Sequence, residues 1–121
     1  MSQRILIVDD EPNIVVSLEY LMKKEGFQIA VATDGESALR TAAEFLPDLV
    51  LLDVMMPKKS GFEVCEAMRA DPQLGAVKII MLTAKGRETE IVKGMALGAD
   101  AYITKPFSTK ELVLKIKSLL A

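Results

Sequence analysis

Short apolar runs alternate with helix-period segments five times along this chain, and nothing else in the sequence limits its fold so tightly. The runs are Ile5–Val8, Gln28–Ala32, Leu49–Leu52, Val77–Leu82 and Ala101–Thr104. After them come Pro12–Glu25, Gly35–Leu46, Gly61–Ala70, Glu88–Leu97 and Thr109–Leu120. In the first of these segments Ile14, Leu18, Leu21 and Met22 recur at helical spacing, and in the last Leu112, Ile116, Leu119 and Leu120 do. Ile5–Val8 and Leu49–Leu52 are unbroken rather than alternating, as strands buried on both sides need to be. Strand–helix alternation at this period predicts an α/β fold, a parallel sheet with helices on both faces. The local punctuation agrees. Pro12 suits a first helical position, Ser108 and Glu111 match the S-x-x-E capping box, and Gly26 and Gly98 read as helix stops.

The chain has 121 residues, enough for one domain with a real core, and residues 1–121 read as a single domain without a linker. A net charge of −2 argues against a surface that coats nucleic acid. The single cysteine allows no internal disulfide and fits a reducing cytoplasm. No apolar run approaches the roughly 20 residues that span a bilayer, and "MSQRILIVDD" has neither the apolar length nor the cleavage site of a signal peptide. The absence of histidine removes Ser-His-Asp chemistry and His-ligated zinc. Cys65 and Met68 share a helical face and read as core rather than redox chemistry.

In a sheet of this kind, ligands bind beyond the carboxyl ends of the strands. Asp9 and Asp10 follow the first expected strand, Asp53 the third, Thr83 the fourth and Lys105 the fifth. Any one Asp there is commonly a cap or turn residue. A lone Lys after an edge strand is usually a solvated charge. Together they are different, because converging carboxylates repel and raise one another's pKa. A divalent cation relieves that repulsion, and an all-oxygen site suits Mg²⁺ rather than zinc.

The stretches "ILIVDDEP", "LVLLDVMMPKKSG", "IIMLTAK" and "GADAYITKPF" together resemble the receiver domain of a two-component response regulator, over essentially the whole chain. Each motif is weak alone; the set is specific. The resemblance implies a flavodoxin-like (CheY-like) five-stranded parallel sheet of order 2-1-3-4-5, flanked by five helices on both faces. It implies a signalling phosphoacceptor rather than an enzyme with a separate substrate, one that catalyses its own phosphorylation and dephosphorylation. Asp53 would be the phosphoacceptor, taking the phosphoryl group from a sensor histidine kinase or phosphotransfer protein. Mg²⁺, or Mn²⁺ in its place, would be held by Asp10, Asp53 and the Met55 carbonyl, with Asp9 acting through a bound water. Lys105 would place a point charge on a phosphoryl oxygen, beside a cis Lys105–Pro106 peptide, and Thr83 would hydrogen-bond the phosphoryl group.

Thr83 and Tyr102 would form the switch, and the fourth helix, fifth strand and fifth helix the output surface. That surface would act on a downstream effector domain or protein, or pair two copies as a homodimer, with no nucleic acid bound by this chain and no membrane. Taken from the residues alone, Tyr102 reads equally as an ordinary edge residue. Pro57 and Gly61 read as turn chemistry. Met55 and Lys85 occupy the positions that tune phosphate lifetime in the family, and Met55 cannot orient a water by hydrogen bonding. Many receivers that dimerise through that face carry two acids in "GADD", whereas here Asp100 is followed by Ala101. Two other classes compete. Hydrolases with an aspartyl nucleophile usually carry a second acid where Met55 stands, and a flavin phosphate would be repelled by the acidic strand ends.

Overall fold

In the computed structural model, which describes residues 3–56 and 58–121, the expected alternation is complete. It runs β1 (Arg4–Val8), α1 (Pro12–Lys24), β2 (Gln28–Ala32), α2 (Gly35–Phe45), β3 (Leu49–Asp53), α3 (Gly61–Ala70), β4 (Lys78–Ala84), α4 (Glu88–Ala96), β5 (Ala101–Lys105) and α5 (Thr109–Leu120). The strands make one parallel sheet in the order β2-β1-β3-β4-β5. β1 and β3 lie inside it, which is why their sequences are apolar on both faces.

Alternation along each strand divides the core in two. Leu6, Val8, Val50, Leu52, Ile79 and Met81 face Ala38 and Ala42 of α2 and Val64, Cys65 and Met68 of α3. Ile5, Ile7, Leu49, Leu51, Ile80 and Leu82 face Leu18 and Met22 of α1 and Leu112 and Ile116 of α5. Gly94 brings α4 against Met81 on the first side. Cys65 and Met68 are fully buried core residues, as their shared helical face suggests.

The strand ends correct the sequence-based boundaries. Asp53, Thr83 and Lys105 are not loop residues following their strands; they lie within the last rungs of β3, β4 and β5. The pairs Asp53↔Leu82, Thr83↔Thr104 and Ala84↔Lys105 continue the ladder past the apolar run. Backbone pairing is indifferent to side-chain polarity, so the end of an apolar run does not mark the end of the strand.

Helix ends follow ordinary rules. Gly26 and Gly98 stop α1 and α4 at φ +90° and +113°, values that favour glycine. The Ser108 hydroxyl accepts from the Glu111 amide at 3.2 Å, half of a capping box. The complete box is at α3, where the Ser60 hydroxyl accepts from Glu63 N and Ser60 N donates to the Glu63 carboxylate, both at 3.3 Å. The same S-x-x-E pattern is present there in the sequence.

At the opposite end of the sheet from the acidic strand ends, one side chain ties three segments together. Arg69 of α3 donates to the Gly98 carbonyl at 2.8 Å, the Gly75 carbonyl at 3.2 Å and the Val77 carbonyl, and pairs with Asp100 at 2.7 Å. The same Asp100 oxygen accepts from Ile79 N at 2.8 Å. Arg69→Ala would strand these acceptors, although solvent reaches part of the pair. We expect a loss of about 2–3 kcal/mol in urea unfolding with an unchanged m-value. Arg69→Lys should recover little of it, since an ammonium cannot reproduce the fork.

Candidate functional site

The sheet order places the carboxyl ends of β1 and β3 side by side, at the point where the chain's direction across the sheet reverses. Asp9, Asp10 and Asp53 meet there, each offering an oxygen within 4.8 Å of the others. Asp9 is fully buried, and both its oxygens are engaged. One accepts from Glu11 N at 2.9 Å, and the other pairs with Lys105 Nζ at 2.8 Å. Asp10 is exposed. Asp53 is buried; its Oδ1 accepts from Met55 N at 3.4 Å and lies 3.5 Å from Lys105 Nζ.

Lys105 is therefore shared among three carboxylates, the third being Glu11 at 3.3 Å. Burial alone would lower its pKa, but the Asp9 hydrogen bond and the charges of Asp53, Asp9 and Glu11 outweigh that and raise it. Asp53 goes the other way for a carboxylate. Burial first, and the Asp9 charge second, lift its pKa to about 6 against the opposing pull of Lys105. Its Lys105 partner does not fully compensate it. Asp10, Glu11, Asp53 and Lys105 border a cleft of ≈ 160 Å³, lined also by Met55, Arg87 and Glu90.

Gly61 keeps the floor of the cleft intact. A Cβ there would overlap the Asp53 carbonyl oxygen and press on Val54, while its N–H donates to the Val54 carbonyl at 2.9 Å. Close approach of α3 to the end of β3, more than turn chemistry, accounts for this glycine. Pro57 lies outside the described residues.

The remaining residues expected at the site divide into those drawn in and those left out. Met55 lines the cleft with its side chain 67% exposed. Thr83 is buried, and its hydroxyl oxygen has no hydrogen-bond partner among the described residues. A buried hydroxyl without a partner is costly, so this one calls for an explanation. Lys85 is exposed on the turn after β4. Tyr102 sits on the edge strand β5 with 43% of its surface exposed, away from the cleft. The Lys105–Pro106 peptide is cis. Glu11, Arg87 and Glu90 join the cleft without having been expected there. Glu11 could have been suspected, because it directly follows the acidic pair; nothing in the local sequence marks the other two.

Every side-chain donor converging in the cleft from the acidic trio is a carboxylate oxygen. That donor set fits a hard divalent cation and gives a soft one no nitrogen or sulfur.

Residues 5–117 match the family model described as the response regulator receiver domain. The transcriptional regulatory protein for alkaline phosphatase synthesis, PhoP of Bacillus subtilis, is 46% identical over 120 residues, which are 99% of this chain and 49% of the relative. The DNA-binding response regulator MtrA of Mycolicibacterium smegmatis is 47% identical over 120 residues, 99% of this chain and 51% of that protein. This chain thus spans about half the length of the curated relatives it matches. Among solved structures, the receiver domain of the sensor histidine kinase PA1611 from Pseudomonas aeruginosa superposes with a TM-score of 0.90 at 28% identity, covering 98% of both chains. That structure has a magnesium ion coordinated in its active-site cleft.

The raised Asp53 pKa carries a stability prediction. The folded chain binds the Asp53 proton more tightly than the unfolded chain, so stability falls as pH rises from about 4 through about 6. In metal-free buffer at about pH 7.5, Asp53→Asn should gain about 1–2 kcal/mol, the open side of the cleft screening the rest. The gain should vanish at about pH 4, where the wild-type carboxyl is protonated. Thermal unfolding at the two pH values checks this.

Proposed function

The chain belongs to the response regulator receiver family, and from that premise we propose that Asp53 is the residue that takes up the phosphoryl group. The receiver family works in two-component phosphorelay signalling. The single observation that carries the residue assignment is the convergence of Asp9, Asp10 and Asp53 on one cleft beside Lys105. Residues 1–121 are read as one receiver unit.

In the proposed reaction, an Asp53 carboxylate oxygen attacks the phosphorus of a phosphohistidine on a sensor kinase or phosphotransfer protein. The P–N bond breaks, the histidine nitrogen leaves with the bonding pair and takes up a proton, and an acyl phosphate remains on Asp53. The chain contains no histidine, so the donor is another molecule. Asp10, Asp53 and the Met55 carbonyl would hold Mg²⁺ directly, with Mn²⁺ an acceptable substitute. The difference between the two N-terminal acids supports Asp10 as the direct ligand. Asp9 already has both oxygens engaged by Lys105 and Glu11 N, which suits a role through water. When bound, Mg²⁺ supplies the positive charge that offsets the phosphoryl oxygens as the group transfers.

Lys105 is already in the cleft as a fixed cation, and the unpartnered Thr83 hydroxyl is available as a donor to a phosphoryl oxygen. Drawing Thr83 toward the phosphoryl group would vacate space for Tyr102, now outside on β5, and so bias the α4-β5-α5 face. That face is the proposed contact with an effector or with a second copy. Asp100 is committed to Arg69 within the chain, so a dimer would have to be built on other charges. The net charge of −2 supports leaving nucleic acid to the effector. We place the chain in the cytoplasm, in keeping with its free Cys65; no described helix is long and apolar enough to cross a membrane.

Hydrolysis of the acyl phosphate by the chain itself is part of the proposal. Met55 and Lys85 are assigned to setting its lifetime, the exposed Met55 thioether being unable to orient a water.

Incubation with acetyl phosphate and Mg²⁺, followed by intact mass, should give one added phosphoryl group in the wild type and none in Asp53→Ala. Modification without a divalent cation, or persisting in the variant, would count against Asp53. Met55→Asn should shorten the lifetime of the acyl phosphate by about 3–10-fold, the scale of one positioned hydrogen bond. An unchanged or longer lifetime would remove Met55 from the assignment.

A further inference from the structure

The cleft contains a charged pair that the proposed chemistry leaves unused. Arg87, the N-cap residue of α4, and Glu90 in its first turn line it, Nη1 to Oε2 at 3.7 Å, with the arginine side chain 61% exposed and the glutamate 16%. α4 begins with no side-chain cap bond, so helix capping does not account for either residue. Among the described residues, nothing lies within 4 Å of a Cβ built on Gly86, which precedes Arg87.

The charge balance gives the pair a task. Lys105 is divided among Asp9, Glu11 and Asp53, and as an ammonium it acts as a point charge. A phosphoryl group on Asp53 would add about one further negative charge and several strong acceptors to a cleft already bordered by Asp10, Glu11 and Glu90. A guanidinium meets such oxygens through two parallel N–H bonds, which an ammonium cannot do. The Arg87–Glu90 contact is long and solvated, worth about 0–1 kcal/mol, so exchanging it for a stronger anion costs little.

We propose that Arg87 is a phosphoryl-binding residue, restrained by Glu90 in the unmodified chain and transferred to the phosphoryl oxygens when Asp53 is modified. The proposal rests on Asp53 being the phosphoacceptor. It makes Glu90 an internal competitor: the same carboxylate that positions Arg87 at the cleft also opposes its transfer.

The test is binding of beryllofluoride, a tetrahedral phosphoryl stand-in, in the presence of Mg²⁺, followed by calorimetry and by the ¹⁹F resonances of the bound group. Arg87→Ala should weaken beryllofluoride binding by about 5–10-fold, the worth of a charge-assisted pair in a half-open cleft, and should shift the ¹⁹F signals. Affinity for Mg²⁺ alone and the thermal midpoint should not change. Arg87→Lys should recover only part of the loss, and Glu90→Gln should tighten binding. Wild-type affinity in Arg87→Ala would overturn the proposal. So would a loss of beryllofluoride binding accompanied by equal losses in Mg²⁺ affinity and thermal midpoint, which would mark Arg87 as structural. If wild type fails to bind beryllofluoride, or Asp53→Ala still binds it, the Asp53 assignment falls and this proposal with it.

Discussion

Lys105 Nζ reaches Asp9, near the other end of the chain, at 2.8 Å and Asp53 at 3.5 Å, and the rest of the structure serves that contact. It joins the end of β5 to the ends of β1 and β3 at the centre of the sheet. One ammonium cannot neutralise three carboxylates, and Asp53 shows the shortfall. Its pKa stays up at about 6 because burial and Asp9 together outweigh Lys105. The cleft is thus built to favour whatever cation or proton lowers its negative charge. A receiver domain needs that property, because phosphoryl transfer is chiefly positioning and charge neutralisation.

The fold supplies rigidity where this balance requires it. β1 and β3 are buried on both faces by the two halves of the core, so their carboxyl ends cannot separate to relieve the repulsion. Gly61 lets α3 close on the Asp53 backbone, and the capping box at Ser60 and Glu63 fixes the start of that helix. At the far end, Arg69 ties α3 to the turn before β4 and to the corner before β5. In contrast, the features around α4 are lightly held: the Thr83 hydroxyl has no partner among the described residues, Tyr102 is exposed on the edge strand, and α4 starts without a side-chain cap. Tight packing thus surrounds the acids, and looser contacts surround the residues proposed to respond.

Much of this was legible in the sequence for a physical reason. Burial on both faces demands unbroken apolar runs, so "ILIV" and "LVLL" announce central strands, and a parallel sheet brings their ends together. That logic extends to Asp9, Asp10, Asp53 and Lys105, which the structure brings together. It fails at strand ends. Asp53, Thr83 and Lys105 lie within their strands because ladder hydrogen bonds carry no hydropathy signal. It also fails for Arg87 and Glu90, whose place at the cleft depends on where α4 lies against the sheet. The two S-x-x-E sequences mark a similar limit: the same pattern closes a full capping box at Ser60 and half of one at Ser108.

Burial and like charge leave Asp53 under-neutralised until a cation or a proton lowers the negative charge of the cleft. The most direct measurement is a ¹³C carboxyl titration of Asp53 by NMR, with and without saturating Mg²⁺. We predict an apparent pKa of about 6 without metal, falling clearly when Mg²⁺ is present. A metal-free value at the ordinary carboxylate position, unmoved by Mg²⁺, would contradict the account.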